Sequence, residues 1–343
     1  DDATTIIFHL RKGVKFHDGS EMTADDVVAS MNRWIDGFSS AKSTVGDARF
    51  EKVDDYTVKI AADHSIILLP QMIAGAAQPA AITTAAACEK EDSNGFLEEY
   101  IGTGPYKFTE WVQDQYIRLD KFDDYTAYGT EGEAMDGWAG YKAAPTKTLI
   151  FNYVPEATTR EAGLETGQYD IIDNVPNDDV ERLTSNPDLH VNSYQAGTVA
   201  LVFNHKQGIA SNQYFRQAVN TCLDMDEILT AVYGEGGYDL GSCYMDEAQA
   251  FWNTDAGSEN YNQKDPDKAK KILEENGYNG ETFKILVSTT NNMNYMEVAM
   301  EQELEAVGIP TELTIVDWAT LTDYRKDPDK FDLYITSFAQ VPV

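Results

Sequence analysis

Apolar positions recur along this chain in two rhythms, one of period two and one near 3.6, and the switches between them mark out the elements. Residues 4–20 read as a hairpin: Ile6, Ile7, Phe8 and Leu10, a Lys12-Gly13 turn, then Val14 and Phe16, closed by His17-Asp18-Gly19. Thr23, followed three residues later by Asp26, is a helix N-cap, and Asp25 and Asp26 sit where the helix dipole favours negative charge. Val27, Val28, Met31, Trp34, Ile35 and Phe38 then share one helical face. Tyr56, Val58 and Ile60 alternate as a strand, and Leu68 to Ile73 opens another helix. In Ile101 to Trp111, Gly102 and Gly104 flank Thr103 ahead of Pro105, which predicts a compact bend. Tyr106, Phe108 and the alternating Tyr116-Ile117-Arg118-Leu119 follow it as extended chain.

Further on, the rhythm over Thr148 to Asp173 predicts β-α-β. Leu149-Ile150-Phe151 is a short strand, Glu156 to Thr166 a helix stopped by Gly167, and Tyr169-Asp170-Ile171-Ile172 a second strand parallel to the first. Asn177 starts a short helix, and Val199 to Phe203 is a buried strand ending at Asn204. Asp265-Pro266 supplies the N-cap and first residue of a helix lined by Ala269, Ile272 and Leu273 and ended by Gly277. Phe283 to Val287, Thr311 to Val316 and Phe331 to Thr336 are strands. Tyr295 to Val307 and the stretch beginning Asp317-Trp318 are helices between them. The fold class is therefore α/β, with mixed sheets flanked by helices and no internal repeat.

The length of 343 residues suits two domains, and 42% hydrophobic with 11% aromatic residues suits globular cores. No apolar run approaches the roughly 20 residues of a membrane span; Ser65 to Ala81 is interrupted by Pro70, Gln71, Gln78 and Pro79. The chain opens Asp1-Asp2, with no signal segment in view. With 58 acidic against 26 basic residues the net charge is −32, a field that disfavours nucleic acid and anionic membrane surfaces as partners. Cys88, Cys222 and Cys243 fit neither a disulfide scaffold nor a zinc site. A Cys222–Cys243 bridge in an oxidising compartment, leaving Cys88 free, stands beside the alternative of three buried thiols.

Catalytic spacing is missing. There is no His-Glu-x-x-His, Gly-x-Ser-x-Gly or phosphate-cradling glycine loop. Ser39-Ser40-Ala41-Lys42 lacks the companion motifs of a Ser-x-x-Lys enzyme, and Asn253 to Glu259 lacks the spacing of a calcium loop. His17-Asp18 reads as turn polarity, so no metal and no cofactor are expected. Carboxylates are too abundant for any pair to stand out as that of a hydrolase.

Several stretches resemble, in order, the signatures of the family 5 extracellular solute-binding proteins, the peptide- and nickel-type receptors of ABC importers. They are Leu10-Arg11-Lys12-Gly13-Val14-Lys15-Phe16-His17-Asp18-Gly19 with Met22 to Val27; Ile101-Gly102-Thr103-Gly104-Pro105-Tyr106-Lys107-Phe108-Thr109-Glu110-Trp111; Thr159-Arg160 with Gly167 to Ile171; and Phe203-Asn204 with Phe215 to Asn220 and Asp224 to Ile228. The resemblance implies a two-lobed periplasmic-binding-protein-like fold (type II), here apparently truncated at both ends. It divides the chain into 1–104, a first-lobe subdomain of hairpin and helices; 105–205, the first-lobe core; and 206–343, a second lobe incomplete at its C-terminus. The implied function is capture of a small solute, peptide-like or otherwise neutral and polar, in an interlobe cleft for delivery to an ABC permease, without catalysis. The protein is then a monomer acting outside the cytoplasm, in the periplasm or as a cell-surface lipoprotein. The rivals are a carboxylate-dependent hydrolase and a surface or sensor protein of the same fold.

Asp317-Trp318 is similar to the acidic-aromatic pair that sets a tryptophan against the ligand in peptide-binding relatives, and Phe338 stands where those relatives carry a second tryptophan. Trp318, Phe338, Gln340, Asn204 and Tyr194 are the ligand-binding candidates. One departure bears on the cargo. Val341 occupies the place of the aspartate that holds a peptide's α-ammonium, and burying an ammonium without a partner costs several kcal/mol. Gln340 therefore points to a neutral, hydrogen-bonding ligand.

Overall fold

A computed structural model describes residues 3–75, 78–92, 95–134, 140–193, 197–245, 252–290 and 293–338. Tertiary contacts divide the chain into two compact units, with the division between Arg160 and Glu161.

The first unit opens with β1 (Thr5–His9), α1 (Ala24–Gly37), α2 (Ser39–Val45), β2 (Phe50–Asp54) and β3 (Thr57–Ala61). β1 does not form the expected hairpin with Val14 and Phe16. It pairs antiparallel with β3, Phe8 opposite Val58, and β2 takes the other side of β3. The distant strand wins because Val58 and Ile60 offer a buried apolar face beside Ile6 and Phe8. α1 covers that face with Val27, Met31, Trp34 and Ile35. Asp26 does more than open this helix: one carboxylate oxygen accepts from Thr23 N at 2.9 Å and the other from Ala85 N at 2.9 Å. The unit continues with α3 (Leu69–Ala74) and α4 (Ala85–Cys88). The Ser39 to Lys42 stretch lies in α2.

The glycine bend at 102–104 is held by His17. Its Nδ1 accepts from Gly102 N at 3.2 Å and its Nε2 lies 3.0 Å from Gly104 O, while His17 N donates to Gly102 O at 2.9 Å. The two most distinctive stretches of the sequence thus bind each other. From the bend run β4 (Tyr106–Val112), β5 (Tyr116–Lys121) and β6 (Thr148–Asn152), an antiparallel sheet in that order.

α5 (Ala157–Glu165) carries the division between the units, and here a second expectation fails. Residues 169–172 form no strand, and Ile171 is 86% exposed. The N–H groups of Gln168 and Tyr169 both turn back to Gly163 O and finish the helix, and the Tyr169 ring lies where a Cβ on Gly163 would stand. With no second strand to pair in parallel, β6 remains an antiparallel edge.

The second unit holds α6 (Asn177–Thr184), β7 (Thr198–Phe203), α7 (Gln213–Cys222), α8 (Met225–Tyr233), α9 (Pro266–Glu275), β8 (Phe283–Ser288), α10 (Asn294–Ala306), β9 (Thr311–Val316), α11 (Trp318–Tyr324) and β10 (Leu333–Phe338). Its sheet runs β7-β10-β8-β9, so β7 belongs here, whereas the sequence pattern grouped it with residues 105–205. α7 to α10 bury one face of the sheet through Phe215, Val219, Ile228, Leu273, Met296 and Met300 against Ile285, Val287, Leu333 and Ile335. α11 covers the other face, Leu321 meeting Leu286 and Phe331. Cys88, Cys222 and Cys243 are free thiols, so the Cys222–Cys243 bridge does not form, and burial pushes the Cys222 thiol up to about 12.

The foot of β10 is stapled into this sheet. Asn204 N donates to Asp332 O at 2.7 Å, Asp332 N to Lys284 O at 2.9 Å, and Lys284 N to the Asp332 carboxylate at 3.0 Å. Gly208, at φ +72°, passes so close that a Cβ would lie 2.1 Å from Asp332 Oδ1. Gly13, at φ +73°, has open space around it. Both glycines have positive φ, which alanine resists, Gly208 the more so because its ψ of −174° lies outside the left-handed well. Gly208→Ala is expected to cost at least about 2 kcal/mol more than Gly13→Ala in urea unfolding, since only it must displace a hydrogen-bonded carboxylate. Equal losses would show that the Gly208–Asp332 approach is soft.

On α10, Glu297 is 2% exposed, and its Oε2 has no hydrogen-bond partner. Burial, and then the neighbouring Glu301, push its carboxyl up to about 7. Burial likewise lifts Glu303 to about 7, although it accepts from Asp224 N at 2.7 Å. A folded chain that keeps protons which the unfolded chain releases near pH 4.5 loses stability as pH rises from about 4.5 to about 7. Glu297→Gln is expected to match wild type near pH 4 and to exceed it by up to roughly 3 kcal/mol at pH 8. Parallel stability–pH curves for the two proteins would refute the buried proton.

Candidate functional site

The second unit's sheet has a switch point in its strand order. β8, β9 and β10 are parallel, and the chain moves from β8 to β9 through α10 and then back across β8 to β10 through α11. The two helices lie on opposite faces, as right-handed crossovers in opposite directions require. Such a reversal is where open α/β sheets part their loops and bind ligands, beyond the carboxyl ends of the strands. Here the reversal falls between β8 and β10.

Strand pairing opens at that point. β8 pairs with β9 up to Ser288 and Val316, and β10 pairs with β7 up to Phe338 and Thr198. Between β10 and β8 the pairing runs only over Leu333 with Ile285 and Tyr334 with Leu286. Past those residues neither strand serves the other as a ladder partner. Thr336 and Ser288 each lie two residues beyond the last pair, so alternation puts both on the face of Tyr334 and Leu286. Both are buried, Thr336 at 1% and Ser288 at 0% exposure. Ser288 Oγ donates to Thr290 Oγ1 at 2.9 Å and accepts from Thr290 N at 3.0 Å. Thr336 Oγ1 has no hydrogen-bond partner.

Aromatic rings gather at the same edge. Trp318, the first residue of α11, is 38% exposed. Phe338 ends β10 half-buried, its ring 5.3 Å from that of Tyr244 in an edge contact. Tyr295, in the first turn of α10, is exposed. β9 and β10 stand two strand spacings apart, about 10 Å, with β8 between them. Asp317 is spent as the cap of α11. Its Oδ1 accepts from Thr320 N at 3.0 Å and its Oδ2 from Thr320 Oγ1 at 2.7 Å, and these bonds hold its carboxyl below the usual range.

Of the residues nominated from sequence, Trp318 and Phe338 are thus brought to one edge. Asn204 is not with them. It follows Phe203, which pairs with Leu333 at the foot of β10, roughly 17–20 Å of strand from Phe338. Its buried amide donates to Pro328 O at 2.8 Å and Phe331 O at 3.0 Å, and its Oδ1 accepts from Lys206 N at 3.0 Å. Those bonds shape the loop into β10. Tyr194 and Gln340 lie outside the described residues. Thr336, Ser288, Tyr244 and Tyr295 escaped the sequence reading. Ser288-Thr289-Thr290 at the end of an apolar run was the available signal for these hydroxyls.

An open hollow of about 490 Å³ lies at the opposite end of the sheet, between Gln207, Glu281, Lys284, Asp329 and Asp332. Its size does not recommend it. Asp332 is bonded to Lys284 N and Asp329 to Gln207, so its carboxylates serve the fold. Among the described residues no group of His, Cys, Asp and Glu has the arrangement of a metal site, and no helix is long and apolar enough to cross a membrane.

Comparison with known proteins agrees with the strand order. The oligopeptide-binding protein AppA of Bacillus subtilis is 28% identical over 96% of this chain, and the heme-binding protein A of Haemophilus influenzae 30% over 95%. The chain spans about three-fifths of their lengths, 62% and 61%. Among solved structures, the periplasmic binding protein DppA of Helicobacter pylori, in complex with the peptide STSA, superposes with a TM-score of 0.78 at 22% identity, covering 99% of this chain and 67% of that one. The α/β fold is therefore that of the two-lobed periplasmic binding proteins. The profile of the bacterial extracellular solute-binding proteins, family 5 (middle), matches residues 1–342, and the chain belongs to that family.

Proposed function

We propose that this chain forms the solute-capturing body of a receptor that works outside the cytoplasm and delivers its cargo unchanged to an ABC permease. The cargo is a small neutral polar or peptide-like molecule. One observation supports the reading: the β10–β8 ladder ends early at the switch point of the sheet β7-β10-β8-β9, and Trp318 and Phe338 follow β9 and end β10 at that same edge. Aromatic walls with a few fixed polar groups are what recognition of a small solute requires. The family supports binding and release in place of turnover.

Neutrality follows from charge. The edge offers no uncommitted carboxylate to an ammonium among its described residues, because Asp317 caps α11. A chain of net charge −32 also works against anionic cargo. The amide of Gln340, read from sequence alone, fits the same class. A place in the periplasm or on the cell surface as a lipoprotein, and action as a monomer, complete the proposal.

Binding stabilises the folded state, so cargo must raise the melting temperature in proportion to the logarithm of its concentration. N-acetyl-Ala-Ala-Ala-amide is expected to raise Tm and to be recovered intact by mass spectrometry, with free Ala-Ala-Ala binding more weakly in calorimetry. Trp318→Ala should weaken the blocked peptide ten- to a hundredfold, as loss of a central aromatic contact does. Cleaved peptide, or tighter binding of the free amine, would overturn the reading.

A further inference from the structure

His17 holds the bend at 102–104 through a hydrogen-bonding pattern that only one form of its ring can supply. Gly102 N donates to Nδ1 at 3.2 Å, so Nδ1 must carry a lone pair. Nε2 lies 3.0 Å from Gly104 O, a carbonyl that can only accept, so Nε2 must carry the proton. The ring is therefore neutral, and its tautomer is fixed by backbone groups 85 and 87 residues away.

A second proton has no place in this arrangement. On Nδ1 it would point at the Gly102 N–H, and an accepted bond would become a meeting of two donors. Nor is the ring free to turn aside. Phe122, 7% exposed, sets its own ring in an edge contact with the imidazole at 5.1 Å. On the bend side, a Cβ on Gly102 would lie 3.6 Å from His17 Cε1.

The charged groups around the ring do not replace the lost bond. In its own turn, Asp18 accepts from the Ser20 hydroxyl at 2.7 Å and the Ser20 amide at 2.9 Å, and these bonds hold its carboxyl below the usual range. Asp18 attracts a charged imidazole through space without a hydrogen bond to it. Lys15 pairs with Asp124 at 2.8 Å. The approach to the bend brings Tyr100 and Glu99, the latter paired with Lys90 at 2.8 Å, and Tyr106 follows it. The segment behind the ring adds Lys121 and Asp123 on either side of Phe122.

The place of this contact gives it consequence. The sheets β1-β3-β2 and β4-β5-β6 share no strand, and the 14–20 turn meets the bend from which β4 departs. We propose that His17 is a pH-sensitive latch of the first unit. Neutral, it fastens the 14–20 turn to the 102–104 bend; protonated, it releases the Gly102 amide and loosens the root of β4. Imidazole changes charge between about pH 5 and 8, so the joint opens on acidification. The buried carboxyls Glu297 and Glu303 act in the opposite sense, stabilising the second unit as pH falls.

The test uses the whole chain, as wild type and as His17→Gln, at about pH 8 and about pH 5. Nitrogen NMR of the wild-type imidazole should show a bare Nδ1 and a protonated Nε2 at the higher pH, and both nitrogens protonated at the lower. Hydrogen exchange of the Gly102 amide is read as protection relative to the intrinsic rate at each pH. That protection should fall about tenfold from the higher to the lower pH, as loss of one hydrogen bond implies. In His17→Gln, whose side chain does not titrate, it should be the same at both. An Nδ1–H tautomer at the higher pH, a ring still neutral at the lower, or unchanged wild-type protection would each overturn the latch. So would an equal fall in His17→Gln, since another group would then be responsible. Should that variant not fold, the wild-type imidazole signals and Gly102 exchange decide by themselves.

Discussion

The second unit depends on one placement, the insertion of β10 between β7 and β8. β10 is the last strand described, yet it lies inside the sheet, antiparallel to a strand 130 residues upstream and parallel to another some 50 residues upstream. Side chains at its foot make that placement unique. The Asn204 amide gathers two carbonyls of the incoming loop, and Asp332 closes on the Lys284 backbone from both its main chain and its carboxylate. Gly208 yields the space. A strand fastened so tightly at one end and by so few pairs to β8 beyond it leaves its far end to diverge. The early end of the β10–β8 ladder accompanies the same staple.

This divergence explains why polar groups can persist among apolar ones. Up to the last pair, Leu333 faces the large core with Ile285 and Tyr334 faces Leu286 on the other side, and just past it Ile335 and Val287 still pack into that core. Above it, the same alternation presents Thr336 and Ser288, then Phe338. The packing layers run out where hydrogen-bonding capacity begins.

Charge is handled elsewhere and mostly locally. Arg182 collects Glu161, Glu165 and Asp179, and Lys264 collects Asp224 and Asp226 at the start of α8. Apart from the pair to Glu161, which is buried, these pairs are largely exposed and each is worth little by itself. Their effect is to place scarce cations where helix ends and loops meet, leaving the acidic excess spread over solvated surface. Glu297 and Glu303 are the exceptions, carboxyls packed into the α10 interface and held protonated well above their ordinary range.

Local signals in the sequence were enough for the elements whose partners are near. Asp265-Pro266 opens α9 and Asp317 opens α11 as capping chemistry demands, and the strands at 283–288 and 311–316 follow from their apolar runs. The motif stretches pointed to the family, which the match over residues 1–342 shows. Pairing at a distance was not. β1 chose β3 over the nearby Val14 segment, 169–172 finished a helix where a strand was expected, and β7 joined the later sheet. Asn204 showed the same limit, because an asparagine after a strand looks alike whether its amide meets a ligand or two carbonyls more than a hundred residues away. Period and capping are properties of a few neighbouring residues, so composition and order determined which segments coil and which extend. Strand order, the early end of the β10–β8 ladder and the unspent hydroxyl of Thr336 arise from contacts between distant segments, and only the tertiary structure decided them.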